Sequence, residues 1–249
     1  MERAFVRRDE RIQRILEIAI REGIVYVADM AKQFDRSKSM IGRDFNVLRD
    51  KGLVERLNGK AIPTGFPLVV AEADVLPATA MALAQLIGDN QAIILEAGAV
   101  SLQLAQHVSK DLRIVVVTNS PAVAMTFSNH PKVEVWVIGG KLRSGVLIPT
   151  KKEETQILQR ISAALCVLGT CNLDLKTVST PDSEQAELKS EMMSTALKVA
   201  VSVSDESLGS TSSYFVGPLN RITHIIPASD VSNKKLKPYE KVGINIVRG

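Results

Sequence analysis

A chain of 249 residues, 45% apolar and 23% charged, fits one large domain or two small ones and buries a sizeable core, which excludes disorder as its main state. Aromatics are only 4%, and two cysteines, Cys166 and Cys171, cannot staple a chain this long, so an aliphatic core in a reduced cytoplasmic compartment is expected. No run approaches the roughly 18 apolar residues of a membrane helix, and charges throughout the first 25 residues leave no secretory core. The net charge of +4 is uneven: residues 1–60 hold 14 Lys and Arg against 10 Asp and Glu, while residues 61–249 balance at 17 of each. A basic end on a neutral body suits contact with a polyanion, with a solvated basic surface as the alternative.

Arg8 to Arg21 reads as an amphipathic helix with Ile12, Ile15, Leu16 and Ala19 on one face, ended by Gly23. A short helix from Val27 to Phe34 follows, then a tight polar link at Asp35, Arg36 and Ser37, then a third helix from Lys38 to Asp50 stopped by Gly52. Two short helices joined this closely form a helix-turn-helix pattern. At about 100° per residue, Ile41, Phe45 and Leu48 point to the core, and Ser39, Arg43 and Asn46 point the opposite way. Arginine grips a guanine edge, asparagine an adenine edge, and serine either a base or a phosphate. Arg36, Lys38 and Arg49 flank this stripe and suit phosphates, which position without specifying. Asn58-Gly59 between Leu53–Leu57 and Lys60–Pro63 is a strong hairpin signal, so a wing follows the third helix, with Arg56 and Lys60 near its tip. The alternative is a small helical cap with a solvated charged face.

The run from Phe34 to Ala61, FDRSKSMIGRDFNVLRDKGLVERLNGKA, resembles the winged helix of the DeoR family of bacterial repressors. Ser37, Ile41, Arg43, Asp44, Leu48, Gly52, Arg56, Gly59 and Ala61 match the family pattern in register. Arg36, Met40, Gly42, Asn58 and Lys60 depart from it. Gly42 stands where the family has the first of two arginines and costs the helix about 1 kcal/mol relative to alanine. The expected DNA-binding set is therefore Arg36, Ser37, Lys38, Ser39, Gly42, Arg43, Asn46, Arg49, Arg56 and Lys60. Residues 1–65 form the winged helix-turn-helix domain in this reading, and 66–78, rich in proline with Glu72 and Asp74, form a linker.

From residue 79 to 249 short apolar runs alternate with helical segments. The runs are Ala92–Leu95, Ile114–Val117, Val133–Ile138, Ala164–Leu168, Val199–Val203, His224–Pro227 and Ile244–Val247. Helices are expected at Thr79–Ile87, Ser101–Val108, Ala122–Phe127, Glu153–Ile161 and Ser183–Leu197. The alternation implies an α/β domain with a mostly parallel sheet covered on both faces. Ligands of such sheets bind outside the carboxyl ends of the strands. Here those ends carry Glu96-Ala97-Gly98, Thr118-Asn119-Ser120, Gly139-Gly140 and Gly169-Thr170, none specific alone. Thr180-Pro181-Asp182 reads first as a helix start. Lys141, Arg143 and Lys189 are pocket cations or exposed side chains.

The order EAGAVSLQLAQHV, VVVTNSPAVAM, VWVIGGKLRSG, VLGTCNLD, STPDSEQAELKSEMM and VSDESLG is similar to the sensor half of the DeoR family, which resembles ribose-5-phosphate isomerase and glucosamine-6-phosphate deaminase in fold. The resemblance covers nearly the whole chain. It implies a homo-oligomeric repressor, dimeric or tetrameric, that binds operator DNA and is released by a small sugar phosphate from a sugar-metabolism operon, without catalysis, cofactor or metal. Gly98, Ser101, Thr118, Asn119, Gly139, Gly140, Lys141, Asp182 and Lys189 are the expected effector-binding residues. The departures are substantial. Ala99 and Val100 replace family threonines, and Leu208 stands for the lysine of D-S-S-K-F-G. A degenerate pocket that takes an unphosphorylated ligand, or none, is the alternative reading. A sugar-phosphate isomerase or deaminase is a minor one, with only Glu96 and Asp182 as plausible carboxylates. His107, His130 and His224 are scattered without metal-ligand spacing. Cys166 and Trp136 read as core.

Overall fold

The computed structural model describes residues 8–22, 24–51, 53–57, 59–63, 77–143 and 145–248. The expected helix stops at Gly23 and Gly52, the turn position Asn58 and linker residues 66–76 lie outside the described residues. The chain divides into two compact units, Met1–Ala71 and Glu72–Gly249.

The first unit runs α1 (Arg8–Glu22), β1 (Val25–Tyr26), α2 (Val27–Gln33), α3 (Lys38–Asp50), β2 (Val54–Leu57) and β3 (Lys60–Pro63). The apolar stripe of α1 buries Ile12, Ile15 and Ala19 against Ile41, Phe45 and Leu48 of α3, closing one core with Met30 of α2. Asp35 takes φ +52 in the turn between α2 and α3, a conformation its short polar side chain tolerates. Ser37 accepts the Met40 N–H at 3.2 Å and caps α3. The wing hairpin pairs Arg56 with Ala61 and Leu57 with Lys60, and Gly59 takes φ +80. β1 adds a third antiparallel strand by pairing Val25 with Ala61. Two residues are too few to leave a periodic signal, so the sequence pattern does not show this strand.

The second unit runs α4 (Pro77–Ala84), β4 (Gln91–Leu95), α5 (Ala99–His107), β5 (Ile114–Thr118), α6 (Pro121–Thr126), β6 (Val133–Val137), β7 (Lys141–Arg143) and β8 (Val146–Ile148). It continues through a 3₁₀ helix (Lys152–Gln159), β9 (Ala163–Leu168), β10 (Asn172–Leu173), β11 (Thr177–Thr180), α7 (Ser183–Thr195), β12 (Ala196–Val203), β13 (Tyr214–Pro218), β14 (His224–Pro227), α8 (Asn233–Lys241) and β15 (Asn245–Ile246). The seven apolar runs become one sheet of order β15-β14-β12-β9-β4-β5-β6, parallel at every pairing. The chain steps outward from β4 through β5 to β6, then returns to lay β9 on the other side of β4. The topological switch point therefore lies between the carboxyl ends of β4 and β9, where open α/β sheets bind ligands.

Several expectations are corrected. The segment expected as a helix over Glu153–Ile161 is 3₁₀ over Lys152–Gln159, started by the Glu154 carboxylate accepting the Thr150 and Lys151 N–H groups. The helix expected to reach Leu197 stops at Thr195, because Ala196 turns extended at φ −104, ψ 148 and starts β12 directly. Trp136 is not core: it is 44% exposed, because β6 is the sheet edge and pairs with β5 alone among the described residues. Its indole N–H donates to Glu134 Oε1 at 2.5 Å. Cys166 is fully buried as expected. A small antiparallel sheet, β10-β11-β13, and the β7-β8 hairpin sit outside the main sheet.

Candidate functional site

In the first unit the surface is organised from beneath. Asp44 of α3 is buried and accepts Arg11 Nε–H at 2.7 Å and Nη2–H at 3.2 Å, tying α1 to α3 below the exposed stripe. Two ions desolvated together in this two-bond geometry hold the helix register, and loss of either strands the other. Above this pair, Lys38, Ser39 and Arg43 are exposed, and Asn46 is half-buried. Arg43 Nε reaches only 3.5 Å from Ser39 O, so its guanidinium is loosely held. Arg56 reaches back from the wing: its Nη1 donates to Gly42 O at 3.2 Å and to Asn46 Oδ1 at 2.5 Å. Gly42 is buried beneath it. Arg36 donates to Asp35 O at 2.8 Å, and Arg49 pairs with Asp50 at 2.8 Å on the surface. Lys60 lies 5.3 Å from the Tyr26 ring centroid, a cation–π contact that holds its ammonium beside β1. The sequence presents Asn46 and Arg56 as separate contacts; in the structure they are one bonded unit. Ser37 carries a structural duty as the cap of α3.

In the second unit Thr118 ends β5, Gly98 and Asn119 follow β4 and β5, Gly139 and Gly140 follow β6, Lys141 starts β7, Ser101 lies in α5, Asp182 caps α7 and Lys189 lies within it. Asn119 is buried and acts as a clamp. Its Oδ1 accepts the Ala97 N–H at 2.8 Å, its Nδ2 donates to Leu147 O at 3.3 Å, and its backbone O accepts the Leu147 N–H at 2.9 Å. It thus ties the loop after β4 to β8. Thr118 Oγ1 accepts the Ser120 N–H at 3.0 Å, and Ser120 caps α6. Gly98 caps α5, and Ser101 is buried in the first turn of that helix. Gly139 faces Glu154, and a Cβ added there would lie 3.8 Å from Glu154 Cγ. Gly140, at φ +127, must be glycine: a Cβ would lie 1.9 Å from Ile148 O.

At the switch point Glu96 Oε2 accepts both Lys189 Nζ–H at 2.6 Å and the Gly169 N–H at 2.7 Å. A Cβ on Gly169 would stand 3.1 Å from Ala97 O, so any larger residue there requires the Ala97 carbonyl to give by a few tenths of an ångström. Burial opposes the Lys189 charge, but Cys171 and Glu96 beside it outweigh burial and raise its pKa. Burial raises the thiol of Cys171 to about 11 and that of Cys166 well above its usual value. Both are protonated at neutral pH, which removes them as nucleophiles. Lys141 pairs with Glu184 at 2.6 Å, and Arg143 pairs with Glu184 at 3.1 Å and with Asp182. Asp182 caps α7 by accepting the Gln185 N–H at 3.0 Å; that bond first, and then Arg143, lowers its pKa. Lys141, Arg143 and Lys189 are therefore all matched by carboxylates. Leu208 is buried in the core, while Lys235 of α8 donates to Asp205 O and Oδ2 nearby. Sequence reasoning named Glu96 and Lys189 without joining them, since 93 residues separate them. Among the described residues no cluster of His, Cys, Asp or Glu could hold a metal ion, and no helix is long and apolar enough to cross a membrane.

A winged helix-turn-helix followed by a parallel α/β unit with a buried switch-point cluster defines a two-part regulator. Residues 11–63 match the DeoR-like helix-turn-helix domain, and residues 77–229 match the DeoR C terminal sensor domain. The chain belongs to the DeoR family of DNA-binding transcriptional regulators, which are not enzymes. It is 28% identical over 249 residues to the HTH-type transcriptional regulator GlpR of Haloferax volcanii, covering 96% of this chain and 97% of that protein. It is 23% identical over 226 residues to the HTH-type transcriptional repressor GlcR of Bacillus subtilis, covering 88% and 87%. Among solved structures it is similar to ribose 5 phosphate isomerase A from Neisseria gonorrhoeae, with a TM-score of 0.35 and 11% identity over 55% of this chain and 52% of that one.

Proposed function

We propose that this regulator is a repressor of a sugar-metabolism operon, acting in the cytoplasm as a homo-oligomer and released from operator DNA by a small phosphorylated sugar. The observation that carries the DNA side is the exposed Ser39 and Arg43 stripe on a helix held from beneath by the buried Arg11–Asp44 pair. Arg43 with Asn46 contacts base edges, while Lys38, Arg36, Arg49 and Lys60 meet phosphates. One winged helix spans few base pairs, so two copies on paired half-sites supply operator specificity. The effector sits at the switch point, with Gly98, Ser101, Thr118, Asn119, Gly139 and Gly140 around it. Its phosphate meets the N-terminus of α5. Release follows because the ligand favours the arrangement that does not fit the operator.

A second reading has its own support. Lys189, Lys141 and Arg143 are each already paired with carboxylates, so a phosphate gains little net positive charge there. An unphosphorylated polyol, or no ligand, accords with this balance. Fluorescence anisotropy of labelled duplex from upstream of the chain's own gene tests both. Salt-sensitive binding released by a sugar phosphate, and not by the free sugar, supports the first reading. Release by the free sugar alone, or by neither, favours the second.

A further inference from the structure

The Gly42, Asn46 and Arg56 contacts carry an inference about which base the recognition helix selects. Arginine only donates hydrogen bonds, so the Asn46 atom facing Arg56 Nη1 is the amide oxygen, and the amide orientation is set by chemistry. The same Nη1 donates to Gly42 O, one turn earlier on α3, so the guanidinium lies along the helix across both residues. A Cβ on Gly42 would stand 3.4 Å from Arg56 Nη2, an ordinary van der Waals contact, so the guanidinium packs directly over residue 42.

A free asparagine grips adenine with both halves of its amide, accepting from the base amino group and donating to N7. Arg56 fills one of the two lone pairs on the Asn46 oxygen and fixes a cation beside the other. An adenine amino group, itself a donor, would meet that cation, whereas an acceptor on a base edge meets both the guanidinium and the Asn46 NH₂ group favourably. Arg56 alongside it also offers only N–H groups. The pair therefore presents donors to the groove. Among the bases, guanine is the one that shows two adjacent acceptors, O6 and N7, on its major-groove edge. We propose that Arg56, packed over Gly42, is a positioning residue that converts Asn46 from an adenine reader into part of a donor-rich pair selecting guanine.

The proposal rests on the DNA-binding reading above, and its test separates the two. Selection of bound duplexes from a random pool by the full chain, followed by sequencing, yields the preferred site of the wild type and of two variants. Arg56→Leu frees the Asn46 oxygen; one guanine of the consensus is expected to become adenine, with a preference of roughly tenfold or more in each case. Asn46→Asp keeps an acceptor for Arg56 but loses the NH₂ group, and it is expected to lose the same guanine while leaving the rest of the consensus intact. Far-ultraviolet circular dichroism and melting of each variant verify folding. If Arg56→Leu binds no duplex, Asn46→Asp decides: loss of that guanine supports the proposal and its retention overturns it. A wild-type consensus with no guanine sensitive to either variant overturns the proposal and leaves DNA binding standing. Absence of any enriched site for the wild type at every salt concentration overturns both.

Discussion

Replacing Lys189 with methionine removes the cation from a carboxylate that is almost completely enclosed. The Glu96 side chain is 4% exposed and the Lys189 side chain 3%, with 2.6 Å between Oε2 and Nζ. After the change Glu96 keeps the Gly169 N–H but loses its counter-ion. Breaking a buried pair by removing one partner costs about 3–5 kcal/mol. At roughly 2–4 °C per kcal/mol for a unit of this size, the melting temperature falls by about 6–20 °C. A Glu96→Gln/Lys189→Met double variant, which buries no charge, recovers most of the difference. Differential scanning calorimetry measures all three proteins. A loss below about 1 kcal/mol for Lys189→Met would refute the argument that this pair holds the switch point together.

Other outcomes follow from single contacts. Gly140→Ala places a Cβ against Ile148 O at a φ that alanine rarely adopts, and chemical denaturation is expected to register a loss of at least about 2 kcal/mol. Ser37→Ala removes the cap of α3, with an expected loss of about 1 kcal/mol in the melting of the winged-helix unit. Asp174 accepts the N–H groups of Lys176 and Thr177, and the Lys176 bond first, with the Thr177 bond next, lowers its pKa below 3.8. Its contribution is present above that ordinary value and is lost as pH falls through the lower folded value. Asp174→Asn should accordingly make stability less steeply dependent on acidification below about pH 4 in a pH series of denaturation midpoints.

The strands of the main sheet were legible because a strand buried on both faces must be a short, continuous apolar run, and the runs at Ala92, Ile114 and Ala164 have that form. The helix-turn-helix was legible because the faces of α3 separate cleanly by angle. α8 was not: Asn233–Lys241 buries only Leu236 and Tyr239 among lysines and carries Pro238, so no stripe shows. β10, with two residues, is too short for a period to register, and β11, Thr177–Thr180, sets a single valine among hydroxyl residues, so no apolar run shows. At the site, sequence order identified loops but not their partners. Glu96 and Lys189 meet across 93 residues, and Arg143 and Asp182 across 39, through sheet topology that local pattern does not encode. The pairing of Arg56 with Asn46 is a tertiary contact of the same kind. It changes the chemistry that Asn46 offers, which neither residue announces alone.

The central claim is that the exposed stripe of α3 reads DNA, and Arg43 is its most direct test. Anisotropy titrations of the wild type and Arg43→Ala on the wild-type's selected duplex and on a scrambled duplex, each across a salt series, isolate the base contact. Arg43→Ala is expected to weaken binding to the selected duplex by roughly tenfold or more, while binding to the scrambled duplex changes much less. Equal affinity of the two proteins for the selected duplex would contradict it.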